Sequence, residues 1–572
     1  MWSPWPEGRG RHAADAVNRD LGDLAEGYFQ VTMDASPFEA TVYGVHGWDA
    51  EVPDLSEAAE AETDHRLADL QRRLAGIDGA PLDPQDRITL AMLGRGLADR
   101  RAQLAARWPE LTVSATQSGI QTAVLGLVPK VALATPAQAA DYTERCAKLG
   151  GCLDQAGDRL RAGLANGRTP PALGVRAAIL QLDTYLAGPV ADDPLLVPPP
   201  PPGVDAGRFR DRLAEIVAGS VRPAMARYRD LLAGQVTDRA RPDDRCGLAH
   251  VPGGEAVYLA AVGRHTTTDR DPAELHQLGL DLVAGLTDEY RELGARVLGT
   301  ADMEQIRHRL RDDPALRFGT AAEILASGRD ALARASAALP AVVGRVPMAP
   351  CRVDEMSAYE AEDAVLGYYQ PAAADGSHPG VHWLNTSAPE TRTRYEYEAL
   401  AFHESVPGHH LQFALAQELE ELPRFRRFGY VTAFSEGWAL YTERLADQVG
   451  LYSGDLERFG MLSFDSWRAC RLVVDTGLHL YGWSRDQAVD YMLANSALTR
   501  SNVENEVDRY VADPGQALAY MVGRLELVRL RELAQGRLGD RFDLRGFHDL
   551  VLGTGGVPLS VLAEVVEGHL DR

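Results

Sequence analysis

Lysine is nearly missing from this chain: Lys130 and Lys148 are the two in 572 residues, so almost every positive charge is an arginine. Positive charge is scarce as a whole, with Lys+Arg 58 against Asp+Glu 82 and a net charge of -24. A surface that acidic repels nucleic acid and anionic membranes, and neither is expected as a partner. Cysteine is sparse too. The five, Cys146, Cys152, Cys246, Cys351 and Cys470, are odd in number and scattered, which argues against a disulfide framework and for free thiols in a reducing compartment. Cys146 and Cys152 stand six apart, too wide for a redox CxxC pair. No apolar run approaches the roughly 20 residues that span a bilayer. Met1-Trp2-Ser3-Pro4-Trp5-Pro6 lacks a basic segment followed by an apolar one, so no signal peptide is expected and the expected location is cytoplasmic. Internal repeats and a βαβ alternation are also missing, which argues against a nucleotide-binding fold.

What is present is the balance of a soluble globular protein, 45% hydrophobic and 24% charged. From about residue 11 to residue 170 apolar residues recur at three- and four-residue intervals, as in Leu21, Leu24, Tyr28 and again Leu149, Leu153, Leu160, Leu164, the period of amphipathic helix. Asp192-Asp193-Pro194 and the five prolines Pro198 to Pro202 cannot be helical and read as an extended connector. Helical periodicity resumes near Arg208 and runs, with a loop about Pro242 to Gly254, to about residue 338. Tyr368-Tyr369 and Val381-His382-Trp383-Leu384-Asn385 are β-prone runs separated by Pro371, Gly376, Pro379 and Gly380, the pattern of strands joined by a turn. The expected fold is therefore mainly α, with a small antiparallel sheet beside the site described next. The expected organisation is an N-terminal helical region over 1–190, a second over 204–340 and a catalytic region over 341–572, in one continuous body.

The chemistry gathers at His403-Glu404-Ser405-Val406-Pro407-Gly408-His409-His410. In an ordinary HExxH helix the two histidines lie four apart on one face and bind zinc, while the glutamate activates a water. Here the fourth position is Pro407. A regular helix turns about 100° per residue, so His409, six positions on, would face roughly 240° away from His403. Pro407 cannot donate a backbone hydrogen bond and Gly408 tolerates unusual dihedrals, so the pair can form a bulge that resets the phase. Without those two residues the motif reads His-Glu-Ser-Val-His. His410, seven positions from His403, is the rival second ligand if the helix stays regular.

Catalytic zinc takes three protein ligands and keeps one position open. In Ala433-Phe434-Ser435-Glu436-Gly437-Trp438-Ala439-Leu440-Tyr441 the carboxylate of Glu436 sits among apolar residues, and a buried carboxylate needs a partner such as a metal. Gly437 beside it permits close helix approach, and Glu443 lies seven residues further on. With zinc bound, Glu404 would serve as general base. Tyr510 and His479 are the candidate oxyanion donors, with Arg468 and Arg471 as carboxylate or oxyanion partners. Asp475, four residues before His479, would orient that histidine or pair with Arg471. Val381 to Asn385 could offer an open strand edge to an extended peptide.

His403 to Gln412, Ser435 to Tyr441, Arg468 to His479, Pro514-Gly515-Gln516-Ala517-Leu518, His265-Thr266-Thr267-Thr268-Asp269 and Phe542-Asp543-Leu544-Arg545 with Phe547-His548 together resemble a large bacterial family known only as a domain of unknown function, DUF885. The resemblance covers nearly the whole chain. That family is similar to zincin-type metallopeptidases, among them helical carboxypeptidases and oligopeptidases whose third zinc ligand is a glutamate. The resemblance implies a helical zincin-like body, His403, His409 and Glu436 as ligands of Zn²⁺, and Glu404 as base. The expected activity is hydrolysis of a peptide or small amide. A metal-dependent hydrolase or lyase of a small non-peptide metabolite, or an inactive helical binding protein, are the other readings.

Overall fold

The computed structural model describes residues 14–80, 82–116, 119–356, 365–373, 376 and 378–571. Met1 to Pro6, the segment in which no signal peptide was expected, lies outside them. The architecture is mainly α. The first helices are α1 (Ala14–Ala35), α2 (Glu57–Leu74), α3 (Pro84–Ala105), α4 (Pro136–Ala165), α5 (Ala172–Ala187) and α6 (Arg222–Leu231). α4 shows why the local sequence commits to helix. Thr135 caps its start, Gln138 returns the bond in a capping box, and Pro136 occupies the first position, where a missing N–H costs nothing. α7 (Gly254–Thr266), α8 (Pro272–Val297) and α9 (Ala321–Val342) follow. No helix among the described residues is long and apolar enough to cross a membrane.

The prolines Pro198 to Pro202 interrupt the helices without dividing the core. Leu149, Leu153, Val175 and Leu182, before the break, share one buried cluster with Leu213, Val217, Met225 and Leu232 after it. Cys146 belongs to the same cluster, and all five cysteines are free thiols.

Among the described residues the strands are β1 (Cys351–Glu355), β2 (Gly367–Gln370) and β3 (Gly380–Leu384), in the order β1-β3-β2. β2 and β3 pair antiparallel as the turn residues between them imply, with Tyr368 opposite Trp383. The sheet as a whole is mixed and not purely antiparallel, because β3 returns between its two predecessors and so runs parallel to β1, with Val353 opposite His382. The same insertion makes β3 the central strand. The expected open edge at Val381 to Asn385 is closed on both sides, and no peptide can add there. β1 carried little signal of its own: only Val353 of its five residues is buried.

After the sheet come α10 (Tyr397–Glu404), α11 (His409–Gln417), α12 (Thr432–Gln448), α13 (Arg458–His479), α14 (Arg500–Ala512) and α15 (Ala519–Leu538). The sheet packs on both α9 and α10, where Ile324, Val353, Leu384 and Leu400 form one cluster. A Cβ on Gly328 of α9 would lie 2.8 Å from a terminal methyl of Leu384, so a larger residue there would have to push the side chains of the sheet aside. α13 is buried along almost its entire length and forms the floor against which α8, α10 and α14 pack. α12 and α15 touch backbone to backbone. A Cβ on Gly437 would come within 2.5 Å of Gly523, and one on Gly523 within 1.8 Å of the Ala433 carbonyl. The close approach expected of Gly437 is thus a contact between two glycines.

Candidate metal centre

The helix carrying His403 and Glu404 does not bulge around Pro407-Gly408; it stops. α10 ends at Glu404, Ser405 takes φ -105 and ψ -110, and α11 starts afresh at His409. The Val406-Pro407 peptide is cis. Gly408 is required by crowding, since its φ of -82 suits any residue while an added Cβ would sit 1.9 Å from the His403 carbonyl oxygen. The His410 amide donates to the Ser405 carbonyl at 3.0 Å and closes the break. α12 fixes it from the other side: Trp438 Nε1 donates to the Pro407 carbonyl at 2.9 Å, and Thr442 Oγ1 to that of Phe402 at 3.1 Å.

This break sets the His409 ring beside that of His403, centroids 4.9 Å apart and nearly perpendicular. Glu436 of α12 faces both. Its Oε2 lies 3.5 Å from His403 Nε2 and 3.4 Å from His409 Nε2. The three residues are buried, and one ligand atom from each falls within a 4.8 Å span. Bonds of about 2.0–2.1 Å to a tetrahedral zinc require ligand atoms about 3.3 Å apart, so this donor set fits that ion. Glu436 Oε2 has no hydrogen-bond partner, and a buried polar atom left so is costly unless something else engages it. Glu436 Oε1, by contrast, accepts from the Tyr430 hydroxyl at 2.5 Å.

His410 points elsewhere. Its Nδ1 meets the Tyr369 hydroxyl at 2.9 Å and its Nε2 the Ala349 carbonyl at 3.0 Å, which occupies both nitrogens. Burial pushes it down to about 4. It ties α11 to the sheet.

Spacing also hid a residue in plain view. Glu443, two helical turns after Glu436, shares its face of α12 and receives His403 Nδ1 at 2.8 Å. A carboxylate there fixes the tautomer and leaves Nε2 for a metal. Burial works against charge on His403, but Glu436 and Glu443 outweigh it and lift the imidazole to about 9. Burial likewise opposes charge on Glu436, yet His403 and His409 hold its carboxyl well below the usual range. Glu404, half-buried, is raised by desolvation against the opposing charges of His403, His409 and Arg468. Two more residues went unremarked. Tyr520 of α15 stacks on His403 with centroids 6.4 Å apart, and His382 of β3 is fully buried, with neither ring nitrogen partnered and its basicity lowered by burial to about 3.

Tyr510 and His479 are not donors to this site. The Tyr510 hydroxyl donates to Glu506 at 2.6 Å and accepts from Trp467 and Arg471, at 3.0 and 2.9 Å, so its capacity is spent. His479 Nε2 contacts the Tyr510 carbonyl at 3.0 Å while Nδ1 accepts the Leu248 amide at 3.1 Å, a backbone staple. Asp475 neither orients His479 nor pairs with Arg471; it accepts from the Tyr258 hydroxyl at 2.6 Å and the Gly515 amide at 3.1 Å. Arg471 pairs with Glu506 at 2.9 Å. Arg468 keeps two unpartnered N–H groups, at Nε and Nη1, and Arg471 one, at Nη1.

Tyr430, whose hydroxyl donates to Glu436, is 47% exposed as a residue, and burial together with the charge of Glu436 pushes that hydroxyl well above its ordinary range.

The family described as "Bacterial protein of unknown function (DUF885)" matches residues 37–566. Among solved structures, a protein from Colwellia psychrerythraea provisionally described as a lipoprotein is 27% identical, with a TM-score of 0.89 over 96% of this chain and 99% of that one. A second provisionally described lipoprotein, of unknown function, from Shewanella oneidensis, shares the fold at 17% identity and a TM-score of 0.72, over 95% of this chain and 99% of that one. No curated protein matches.

Proposed function

The chain belongs to the DUF885 family, whose description assigns no activity, and from that premise we propose that it is a zinc-dependent hydrolase of amide bonds, related to the zincin-type metallopeptidases. One observation carries the reading: His403 Nε2 and His409 Nε2 each lie at tetrahedral-edge spacing from Glu436 Oε2, with Glu404 next in the chain to His403. Bound zinc would supply a polarised water and a Lewis acid for the carbonyl under attack.

The protein's own groups do the rest. Glu404 takes the proton of the attacking water and returns it to the leaving amine, and its raised proton affinity suits both transfers. Glu443 holds His403 in the tautomer that presents Nε2. Tyr430 binds Glu436 Oε1 and so aims Oε2 at the two imidazoles.

Glu404→Gln tests the reading. The variant is expected to retain stoichiometric zinc while turnover of a peptide library falls by at least a factor of about 100, the scale of a lost general base. Near-normal turnover would remove Glu404 from the role, and purified protein that binds no zinc after supplementation would end the proposal.

A further inference from the structure

Arg468 is a buried cation with no ion pair: Glu443 and Glu506 act on it only from beyond contact distance. Its residue is 3% exposed, Nε and Nη1 contact no hydrogen-bond acceptor, and among the described residues no carboxylate comes within ion-pair distance. A buried charge left unpaired is costly, so a partner brought by a ligand would be strongly favoured there. Its neighbour Arg471, three residues along the same helix, shows the ordinary solution: it pairs with Glu506, which Arg509 shares at 2.8 Å. That carboxylate, held by two arginines, is not available to Arg468.

The guanidinium is also held in position. It lies over Trp467 at 4.1 Å and Phe464 at 4.4 Å, with the Tyr520 ring at 5.8 Å. Aromatic faces of this kind fix a guanidinium's plane while leaving its edge donors free to form two parallel bonds to a carboxylate. Tyr520 stacks in turn on His403. One aromatic ring therefore separates the unpaired guanidinium from the metal-ligand cluster, and Glu404 senses the charge of Arg468.

We propose that Arg468 forms an anion subsite beside the His403, His409 and Glu436 cluster, and that it selects substrates carrying a free carboxylate, foremost the C-terminal carboxylate of a peptide. The inference rests on the reading that a substrate reaches that cluster. It makes the enzyme one that trims from the carboxyl end, because the terminal carboxylate is anchored beside the reacting centre.

The test is binding of N-acetyl-alanyl-phenylalanine and its C-terminal amide to zinc-loaded Glu404→Gln protein by titration calorimetry. The free acid is expected to bind at least tenfold tighter. The preference should vanish when Arg468→Met is added, and Arg468→Lys, which keeps the charge but not the fork, should retain part of it. Equal affinity for acid and amide, no binding of either, or a preference that survives Arg468→Met overturns the subsite. The two readings fail separately. Equal turnover of acid and amide by the wild-type protein would leave the hydrolase standing and remove the subsite, whereas a strong acid preference in binding with no turnover of any peptide would do the reverse.

Discussion

Glu443 and His403 form a 2.8 Å hydrogen bond between Oε1 and Nδ1, entirely buried, on the side of the imidazole away from His409 and Glu436. Such a bond makes the histidine a better ligand by fixing its ring and tautomer, and removing it typically costs 10- to 100-fold in metal affinity. Glu443→Gln is therefore expected to weaken zinc binding by about tenfold or more on that scale. Competition against a chromogenic chelator measures it, and unchanged affinity would mean that Glu443 is merely a buried structural acid.

His409→Ala and His410→Ala should separate cleanly. Loss of His409 removes one of three ligand atoms and should abolish retention of zinc through gel filtration. Loss of His410 should leave zinc in place and lower the melting temperature, because the Tyr369 hydroxyl and the Ala349 carbonyl lose their partner, at roughly 1–3 kcal/mol for unsatisfied buried groups. Zinc lost from His410→Ala and kept by His409→Ala would reverse the assignment.

Gly408→Ala sets a methyl against two backbone carbonyls, those of His403 at 1.9 Å and Phe402 at 2.5 Å, neither of which can swing aside. A loss of roughly 3 kcal/mol or more is expected, beyond ordinary overpacking, together with reduced zinc content. Gly151→Ala is the control: this glycine of α4 has nothing within 4 Å of the added carbon, and the change should stabilise by roughly 0.5–1 kcal/mol. Thermal melts of the two variants should move in opposite directions.

Asp475 provides a pH signature independent of the metal. Burial raises its carboxyl to about 7 from an ordinary 3.8, against the bonds from Tyr258 and Gly515. Between about pH 4 and 7 the folded protein thus holds a proton that the unfolded chain has released, so stability falls as pH rises through that window. Asp475→Asn cannot titrate. Its melting temperature relative to wild type should climb between pH 5 and pH 8, by an amount equivalent to roughly 4 kcal/mol at most. A difference that stays flat with pH would refute the shift.

The helical body, the β2–β3 hairpin, His403, Glu404 and the candidacy of Glu436 were legible in the sequence because each depends on local information: a period of 3.6, turn residues between two β-prone runs, a short motif, an acid in an apolar stretch. His409 over His410 was not. Both histidines are plausible by spacing, and the choice depends on how α11 is turned after the break, which Trp438 and Thr442 of a helix more than thirty residues away decide. Tyr510 and His479 misled for a related reason. A tyrosine or histidine looks like a free donor in one dimension, and only packing reveals that Glu506, Arg471 and two backbone groups have already used its hydrogen-bonding capacity. The central position of β3 belongs to the same class, since strand order follows from contacts across the chain. What the sequence by itself determined is the helical class and the residue types of the donor set. What only the tertiary structure decided is which polar groups remain unspent, Glu436 Oε2 and two N–H groups of Arg468 among them, because satisfaction of a polar group is a property of its neighbours in space.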